Sequence, residues 1–469
     1  MKRGLISLIL MLTLLCSIGE GTARAQEPTG PVYIVQSGDS LWWIAQHFGV
    51  SMDDLARANG ITDTSQLIKA GDKLVIPGLE GVQGTLITKT VPFGESLRSL
   101  SRRYQVPVSI LARLNHLTSP SELYTGADLI IPDSSTVTPT VTTLGRRDTL
   151  TSGQSLLEMA VAQGTDPWTL VATNALSGTW DAISGDVLRS PGEAPDGPGA
   201  LPAVVTSVDI KPLPLVQGKT TVISIATAGE VSFNGSLTGH ELHFYQEGVG
   251  KYVGLQGIHA MLEPGFYPLE INGQLTDGTP FAFSQLVYVR DGGYPYEKIN
   301  NVDPATLDPA VTKPEDEQWK SLTAAASPVK MWNGIFQNPS SIPLSSGFSS
   351  YFGNHRSYNG GPYSYFHTGL DMYGAMGAPI YAPAPGVVVF AGPLTVRGNA
   401  TVIDHGWGVY TAYEHQSEFK VQVGDHVEAG QVIGLVGNTG RVVGPHLHFE
   451  VWVGGVQVDP LEWLQQAYP

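Results

Sequence analysis

Cysteine is all but missing from this chain of 469 residues: Cys16 is the only one, and it lies in an amino-terminal apolar run. Stapling by internal disulfides is thereby excluded, so folded parts must rely on hydrophobic cores or bound metal ions. Charge is scarce too. Charged residues make up 14% of the chain, and 42 acids against 26 bases leave a net charge of −16. That balance excludes nucleic acid as a partner, because such binding wants a basic surface. It also denies the chain any bulk attraction to anionic polymers, so adhesion must come from specific pockets. Long apolar runs are missing but for "LISLILMLTLL", which follows Lys2 and Arg3 and precedes "ARAQ". This run reads as a secretory signal (1–25) with cleavage expected after Ala25, and it is short for a membrane span. "TLL" before Cys16 lacks the small residue of a lipid-attachment site. A secreted or cell-envelope protein without a transmembrane anchor after signal cleavage is expected. Glycine (55) and proline (33), by contrast, are plentiful, which suits short strands and many turns. The length calls for several domains.

Internal repetition dominates the first half. "SGDSLWWIAQHFGVSMDDLARANGI" recurs as "FGESLRSLSRRYQVPVSILARLNHL" and, more faintly, as "SGQSLLEMAVAQGTDPWTLVATNAL". Gly38 to Asn59, Gly94 to Asn115 and Gly153 to Asn174 are each 21 residues apart. Gly71 to Pro77, Gly126 to Pro132 and Gly185 to Pro191 are each six apart. Within a copy, an alternating strand leads to Asp39 or Ser40 as a helix cap, then to a helix carrying Leu41, Ile44, Ala45 and Phe48 on one side. A second helix follows Ser51 and ends at Asn59-Gly60, and "DKLVIP" returns as a strand. This βααβ unit resembles the LysM module, and the resemblance implies binding of N-acetylglucosamine-containing glycan. The copies span 31–78, 87–133 and 146–192, the last a degenerate LysM-like repeat. Segments 133–143 and 191–203, rich in Ser, Thr, Pro and Gly, read as exposed tethers.

Residues 205–292 alternate in short stretches such as "TTVISIAT" and "PFAFSQLVYVRD", the pattern of a small β-sandwich spacer. His240 and His243 stand there without a carboxylate at ligand spacing and face opposite ways. In the linker 293–345, "KPEDEQWKSLTAAA" reads as one helix with acids at its amino-terminal end, where the helix dipole favours them. It either braces the following domain or covers its cleft.

Seven of the twelve histidines fall between His355 and His448. "FHTGLDM" supplies His367 and Asp371, "YEHQ" supplies His415, and "GPHLHFEV" supplies His446 and His448. Imidazole and carboxylate are the ligands Zn²⁺ takes when thiolate is lacking. Residues two apart on a strand face the same way, so His446 and His448 project into one space. One can hold a metal while the other reaches a water on it. Phe449 and Val451 would fix the strand between two apolar layers. Merely burying two imidazoles there would leave ring nitrogens unpaired, at about 1–3 kcal/mol each. His405 and His426 read as satisfying local hydrogen bonds, and His355 as lining a cleft.

From about Ser346 to Leu464 the chain resembles the lysostaphin-type zinc metallopeptidases of bacteria, which cut peptide bonds in peptidoglycan. "HTGLD" matches the family's H-x-G-x-D and "HLH" its H-x-H. The resemblance implies that His367, Asp371 and His448 hold one Zn²⁺ per chain. It makes His446 and His415 the catalytic pair: His446 as general base, His415 donating to the oxyanion or the leaving amine, with the roles open to exchange. The expected fold class is multidomain and mainly β: βααβ LysM repeats, a small β-sandwich and a carboxy-terminal antiparallel β metallopeptidase domain (346–464). The expected function is a secreted zinc endopeptidase cleaving peptidoglycan cross-links, held to wall glycan by its repeats. A non-catalytic envelope protein that binds peptidoglycan and regulates another hydrolase is the alternative, and the complete set of five residues favours the enzyme.

Overall fold

The computed structural model describes residues 30–64, 67–79, 82–133, 144–192 and 197–469. The expected signal segment and the tether at 134–143 lie outside the described residues. The chain divides into two compact units.

In the first unit, β1 (Val32–Ile34), α1 (Leu41–His47), α2 (Met52–Ala58) and β2 (Lys73–Val75) form the first repeat. Ser40 caps α1 by accepting the Trp43 amide. Asp39 is not the cap: its carboxylate accepts from the Tyr33 hydroxyl and the Gln36 amide instead. The sheet order is β2-β1-β3-β4, with β3 (Thr85–Thr90) and β4 (Asp128–Asp133) contributed by the second repeat. Leu41, Ile44, Leu55, Leu74 and Ile76 fill the core beneath it.

The recurrent asparagine explains the constant spacing. After α2, the Asn59 side chain accepts from Val75 N–H and donates to the carbonyls of Leu55 and Val75. Asn115, after α4 (Val108–Leu114), does the same with Ile130 and Leu111. The third copy runs β5 (Leu144–Thr149), α5 (Leu156–Ala162), α6 (Pro167–Thr173) and β6 (Val187–Pro191), and there Asn174 binds Arg189 and Leu170. One carboxamide thus ties the second helix to the returning strand in every copy, the degenerate one included.

The second repeat departs from the others at its turn end. Ideal side-chain carbons at Gly38 and Gly153 would meet nothing within 4 Å, whereas at Gly94 one would lie 2.5 Å from Pro198 and 3.0 Å from Leu201. Gly94 donates its amide to Gln285 and accepts from Ala200. Thr125 N–H donates to Leu286 O. In α3 (Leu97–Tyr104), Arg98 and Arg102 pair with Asp186 of the third copy. Residues 197–202, expected as exposed tether, are therefore packed chain: Pro198, Leu201 and Pro202 are buried. Composition alone misled here, because Gly and Pro also suit a tight apolar cap.

The middle region is one continuous antiparallel sheet apart from the parallel pairing of β8 with β14, in the order β7-β9-β12-β11-β10-β13-β14-β8. Its strands are β7 (Val205–Lys211), β8 (Leu215–Val216), β9 (Thr220–Thr227), β10 (Val231–Leu237), β11 (His240–Gly248), β12 (Lys251–Gly257), β13 (Gly265–Leu275) and β14 (Pro280–Arg290). They wrap a core of Ile210, Ile223, Leu242, Leu269 and Val287.

After β15 (Tyr296–Ile299) comes α7 (Pro309–Thr323). The helix begins four residues before the expected "KPED", because Asp308 caps it and Pro309 occupies its first turn. The acids Glu315 and Asp316 consequently sit mid-helix rather than at its start. The carboxy-terminal strands are β16 (Phe348–Ser350), β17 (His355–Tyr358), β18 (Tyr365–Phe366), β19 (Leu370–Tyr373), β20 (Pro379–Tyr381), β21 (Gly386–Pro393), β22 (Asn399–Asp404), β23 (Val409–Phe419), β24 (His426–Val427), β25 (Val432–Val436), β26 (His446–Val453) and β27 (Val456–Val458), closed by α8 (Pro460–Gln465). The main sheet runs β16-β19-β26-β23-β22-β21-β24. Leu370, Leu447, Phe449 and Val451 pack on one face with Trp332, Phe336 and Trp463. The supposed linker thus supplies two core aromatics. The middle sheet grips this domain through Lys219–Asp459 (2.9 Å) and Trp463 Nε1–H to Thr220 Oγ1 (3.0 Å).

Glu95, fully buried, accepts from Gly199 N–H and pairs with Arg103. Glu95→Ala should therefore release the 197–201 segment, and hydrogen exchange at the Gly199 and Ala200 amides is expected to quicken by about tenfold or more, as befits loss of a buried pair.

Candidate metal centre

The site grows out of three adjacent strands. Asp371 on β19 stands opposite His448 on β26, and His448 stands opposite Glu414 on β23. Alternation along β26 sends His446, His448, Glu450 and Trp452 to one face and Leu447, Phe449 and Val451 to the core. That first face is not an apolar layer, contrary to the expectation, since Glu450 is buried on it.

Three ligand-type atoms converge. His367 Nε2 lies 3.0 Å from Asp371 Oδ1 and 3.1 Å from His448 Nδ1, and His448 Nδ1 lies 2.8 Å from the same Asp371 oxygen. Their outer partners set the tautomers. His367 Nδ1 is 2.8 Å from the Tyr351 carbonyl, which can only accept, so that nitrogen carries the hydrogen. His448 Nε2 is 3.4 Å from a Glu450 carboxylate oxygen, so it too is the protonated nitrogen. With the outer nitrogens carrying their hydrogens, the two inner nitrogens and the carboxylate oxygen face one another across a gap that only a cation can bridge, whether a proton on His448 or a metal ion shared by all three. Such a triangle is repulsive unless a cation sits against it. Ligands about 2.1 Å from one tetrahedral metal are roughly 3.4 Å apart, close to the separations found. The donor set of two imidazoles and one carboxylate fits zinc.

Electrostatics agree. Burial opposes charge on His448, but Glu414, Asp371 and Glu450 outweigh it and raise the pKa to about 10, a measure of how strongly positive charge is wanted there. Burial would raise Asp371, yet the imidazoles of His367, His446 and His448 hold its carboxyl well below the usual range.

Gly369 makes the convergence possible. A side-chain carbon there would fall 2.4 Å from the Phe449 carbonyl and 2.8 Å from His448 Nε2. The glycine in "HTGLD" is thus needed for a close approach rather than a turn.

The remaining two histidines flank the triangle. His446 Nε2 lies 3.5 Å from Asp371 Oδ1, and the His415 ring centroid is 5.1 Å from that of His446. His415 reaches this side of the sheet only because its backbone is left-handed (φ 62°), in a stretch where β23 breaks register with β22 and β25. A non-glycine residue in that region costs about 1–3 kcal/mol and clusters at functional sites. His415 Nδ1 donates to Thr439 O (2.8 Å), and His446 Nδ1 to Gly444 O (2.8 Å). Burial first, then His448 and His446, pushes the His415 pKa down to about 3, so it stays neutral.

All five expected site residues therefore gather at one place. Of the other histidines, His405 is buried between Pro385 O and Thr411 Oγ1, and His355 stacks on Tyr296. Sequence reading missed Glu450, Glu414 and Arg397. Glu450 left a signal, being in phase with His446 and His448.

Known proteins can now be set beside this geometry. Residues 365–460 match peptidase family M23, and residues 33–77 and 90–132 match the LysM domain. The carboxy-terminal domain is an M23 peptidase domain. The DD-carboxypeptidase/endopeptidase Mpg of Neisseria meningitidis is 46% identical over 95 residues, covering 20% of this chain and 22% of that protein. The peptidoglycan DD-endopeptidase ShyA of Vibrio cholerae is 45% identical over 96 residues, with the same coverage. The chain thus spans only about a fifth of the length of these relatives. Among solved structures, the catalytic domain of lysostaphin from Staphylococcus simulans is 30% identical, covering 32% of this chain and 96% of that one at a TM-score of 0.21.

Gly369→Ala should push against both the His448 ring and the Phe449 carbonyl of β26. Zinc affinity measured by chelator competition is expected to fall at least tenfold, on the scale of disturbed ligand support, and the melting temperature to drop with it because the Phe449 carbonyl must move.

Proposed function

We propose that this protein is a cell-envelope, zinc-dependent endopeptidase that hydrolyses peptide bonds in peptidoglycan. The observation that carries the reading is the triangle of acceptor atoms with two further imidazoles beside it. His367 Nε2, the Asp371 carboxylate and His448 Nδ1 would hold the metal, leaving a fourth tetrahedral position. Zinc there would supply a Lewis acid for the scissile carbonyl and a water of lowered pKa.

The chain's own residues then handle the protons. With Nδ1–H given to Gly444, His446 presents the Nε2 lone pair and takes a proton from the attacking water. The imidazolium so formed is stabilised by Asp371, 3.5 Å away, and returns its proton to the leaving amine. His415, neutral and donating through Nδ1 to Thr439, offers Nε2 only as an acceptor, which suits orienting the water. The donor role implied by family resemblance would require the other tautomer, setting the Nδ1 lone pair against the Thr439 oxygen.

The repeats tether this chemistry to the wall glycan, and tethering raises the effective concentration of an immobile polymer. The first repeat suits the task. Trp42 (62% exposed) and Trp43 (41%) stand beside its open turn, and exposed indoles stack on sugar rings. At the matching positions the second repeat has Arg98, paired with Asp181 and Asp186, and Ser99, buried against Glu95.

Two measurements test the reading. His448→Ala should lose bound zinc, whereas His446→Ala should keep it and release muropeptides from purified sacculi some 10²–10⁴-fold more slowly, the usual weight of a general base. Full activity in His446→Ala would overturn the assignment. A Trp42→Ala, Trp43→Ala double variant is expected to co-sediment with sacculi several-fold less, while Arg98→Ala binds as the parent does.

A further inference from the structure

The buried acid beneath the metal triangle connects to a helix that lies outside the matched peptidase segment. Glu450, wholly buried, faces His448 Nε2 at 3.4 Å through Oε1. Its other oxygen accepts from Trp452 Nε1–H at 2.7 Å and from Trp319 Nε1–H at 3.3 Å, and Gln457 approaches Oε1 at 3.4 Å. Trp319 belongs to α7 and is itself fully buried, packed with Val402, Tyr410, Ala412 and Trp452 on the sheet face that carries the site.

The same helix holds a second element of the site. The Glu315 carboxylate accepts the backbone amides of Thr395, Val396 and Arg397 at 2.5–3.4 Å. Asp316 pairs with Arg397 at 2.9 Å, and the Arg397 guanidinium lies 4.9 Å from the Trp319 ring centroid. Arg397 in turn accepts the His415 amide on its carbonyl (3.0 Å) and sits 3.2 Å from Glu414. That last contact is an ion pair off the hydrogen-bond direction, since neither atom has a hydrogen-bond partner. Val396 O accepts Arg441 N–H (2.8 Å), and Thr439 Oγ1 accepts Asn399 N–H (2.9 Å). The strap 395–399 therefore supports both the left-handed His415 and the Thr439 carbonyl that fixes its tautomer.

We infer that α7 is a working part of the peptidase, and that Trp319 is a positioning residue acting through Glu450 on the metal-facing nitrogen of His448. A carboxylate accepting from one imidazole nitrogen fixes the ring's orientation and raises the basicity of the other nitrogen. That carboxylate keeps its own orientation only while its lone pairs are held, and Trp319 holds one of them from outside the catalytic sheet. A helix serving as a displaceable cover would have no reason to bury its only tryptophan against a second-layer carboxylate. This inference rests on the zinc reading given above.

The test uses the full chain carrying Trp319→Phe, which keeps an aromatic ring and deletes the N–H donor, and Glu450→Gln, which keeps the shape and removes the charge. Zinc dissociation constants by chelator competition and the visible spectrum of the cobalt(II)-loaded protein are the readouts. Both variants are expected to bind zinc about 10–100-fold more weakly and to shift the cobalt bands, with melting temperature measured alongside. A purely structural role would lower the melting temperature and leave the zinc constant and cobalt spectrum unmoved, which would overturn the inference. If Trp319→Phe fails to fold, Glu450→Gln decides: parental zinc affinity in that variant removes the link through which Trp319 is said to act. If the parent protein itself takes up no zinc, the zinc reading fails first and this one with it.

Discussion

Two imidazole nitrogens and a carboxylate oxygen held within about 3 Å of one another are the constraint around which the carboxy-terminal domain is arranged. Left alone they repel, so the surrounding structure must force them together and leave a cation to relieve them. The force comes from ordinary devices. Antiparallel register sets Asp371 opposite His448, a glycine lets the loop after His367 close on that ring, and a backbone carbonyl and a buried acid each claim the outward nitrogen of one imidazole. Rigid supports of this kind are what keep a site geometrically ready before its metal or substrate arrives.

Much of this was readable from residue spacing, because strands have period two and helices recurrent caps. His446 and His448 share a face for that reason, and Glu450 continues the phase, so its place could have been read from "HLHFE". His415 is a different matter. Its entry into the site depends on a positive φ and a slipped register, and nothing in "YEHQ" announces either. The repeats were legible through their asparagines, whose side chains each bridge two backbone segments. The start of α7 was not, since Asp308 and Pro309 end one local pattern as readily as they begin another. The buried 197–202 segment was hidden for a further reason: whether a Gly- and Pro-rich stretch is exposed depends on what packs on it, and that is a tertiary fact.

Domain limits drawn from homology also understate the folded peptidase. The matched segment ends at residue 460 and begins at 365, yet Trp319, Trp332, Phe336 and Trp463 are all buried against its strands. Trp319, Trp332 and Phe336, all before His367, belong to its cores, and truncating such a residue to alanine costs about 3–5 kcal/mol. The β-rich middle region, for its part, is joined to this domain by an ion pair and a buried indole bond rather than by a loose tether.

The closed turn of the second repeat changes how modular proteins of this make-up should be counted. Copy number is commonly taken as valency, each module adding one grip on a polymer and multiplying the avidity. Here one module has traded its free end for a fixed seat within the molecule. On the reading proposed above, adding or deleting such a unit would alter the scaffold's integrity rather than the number of its handholds.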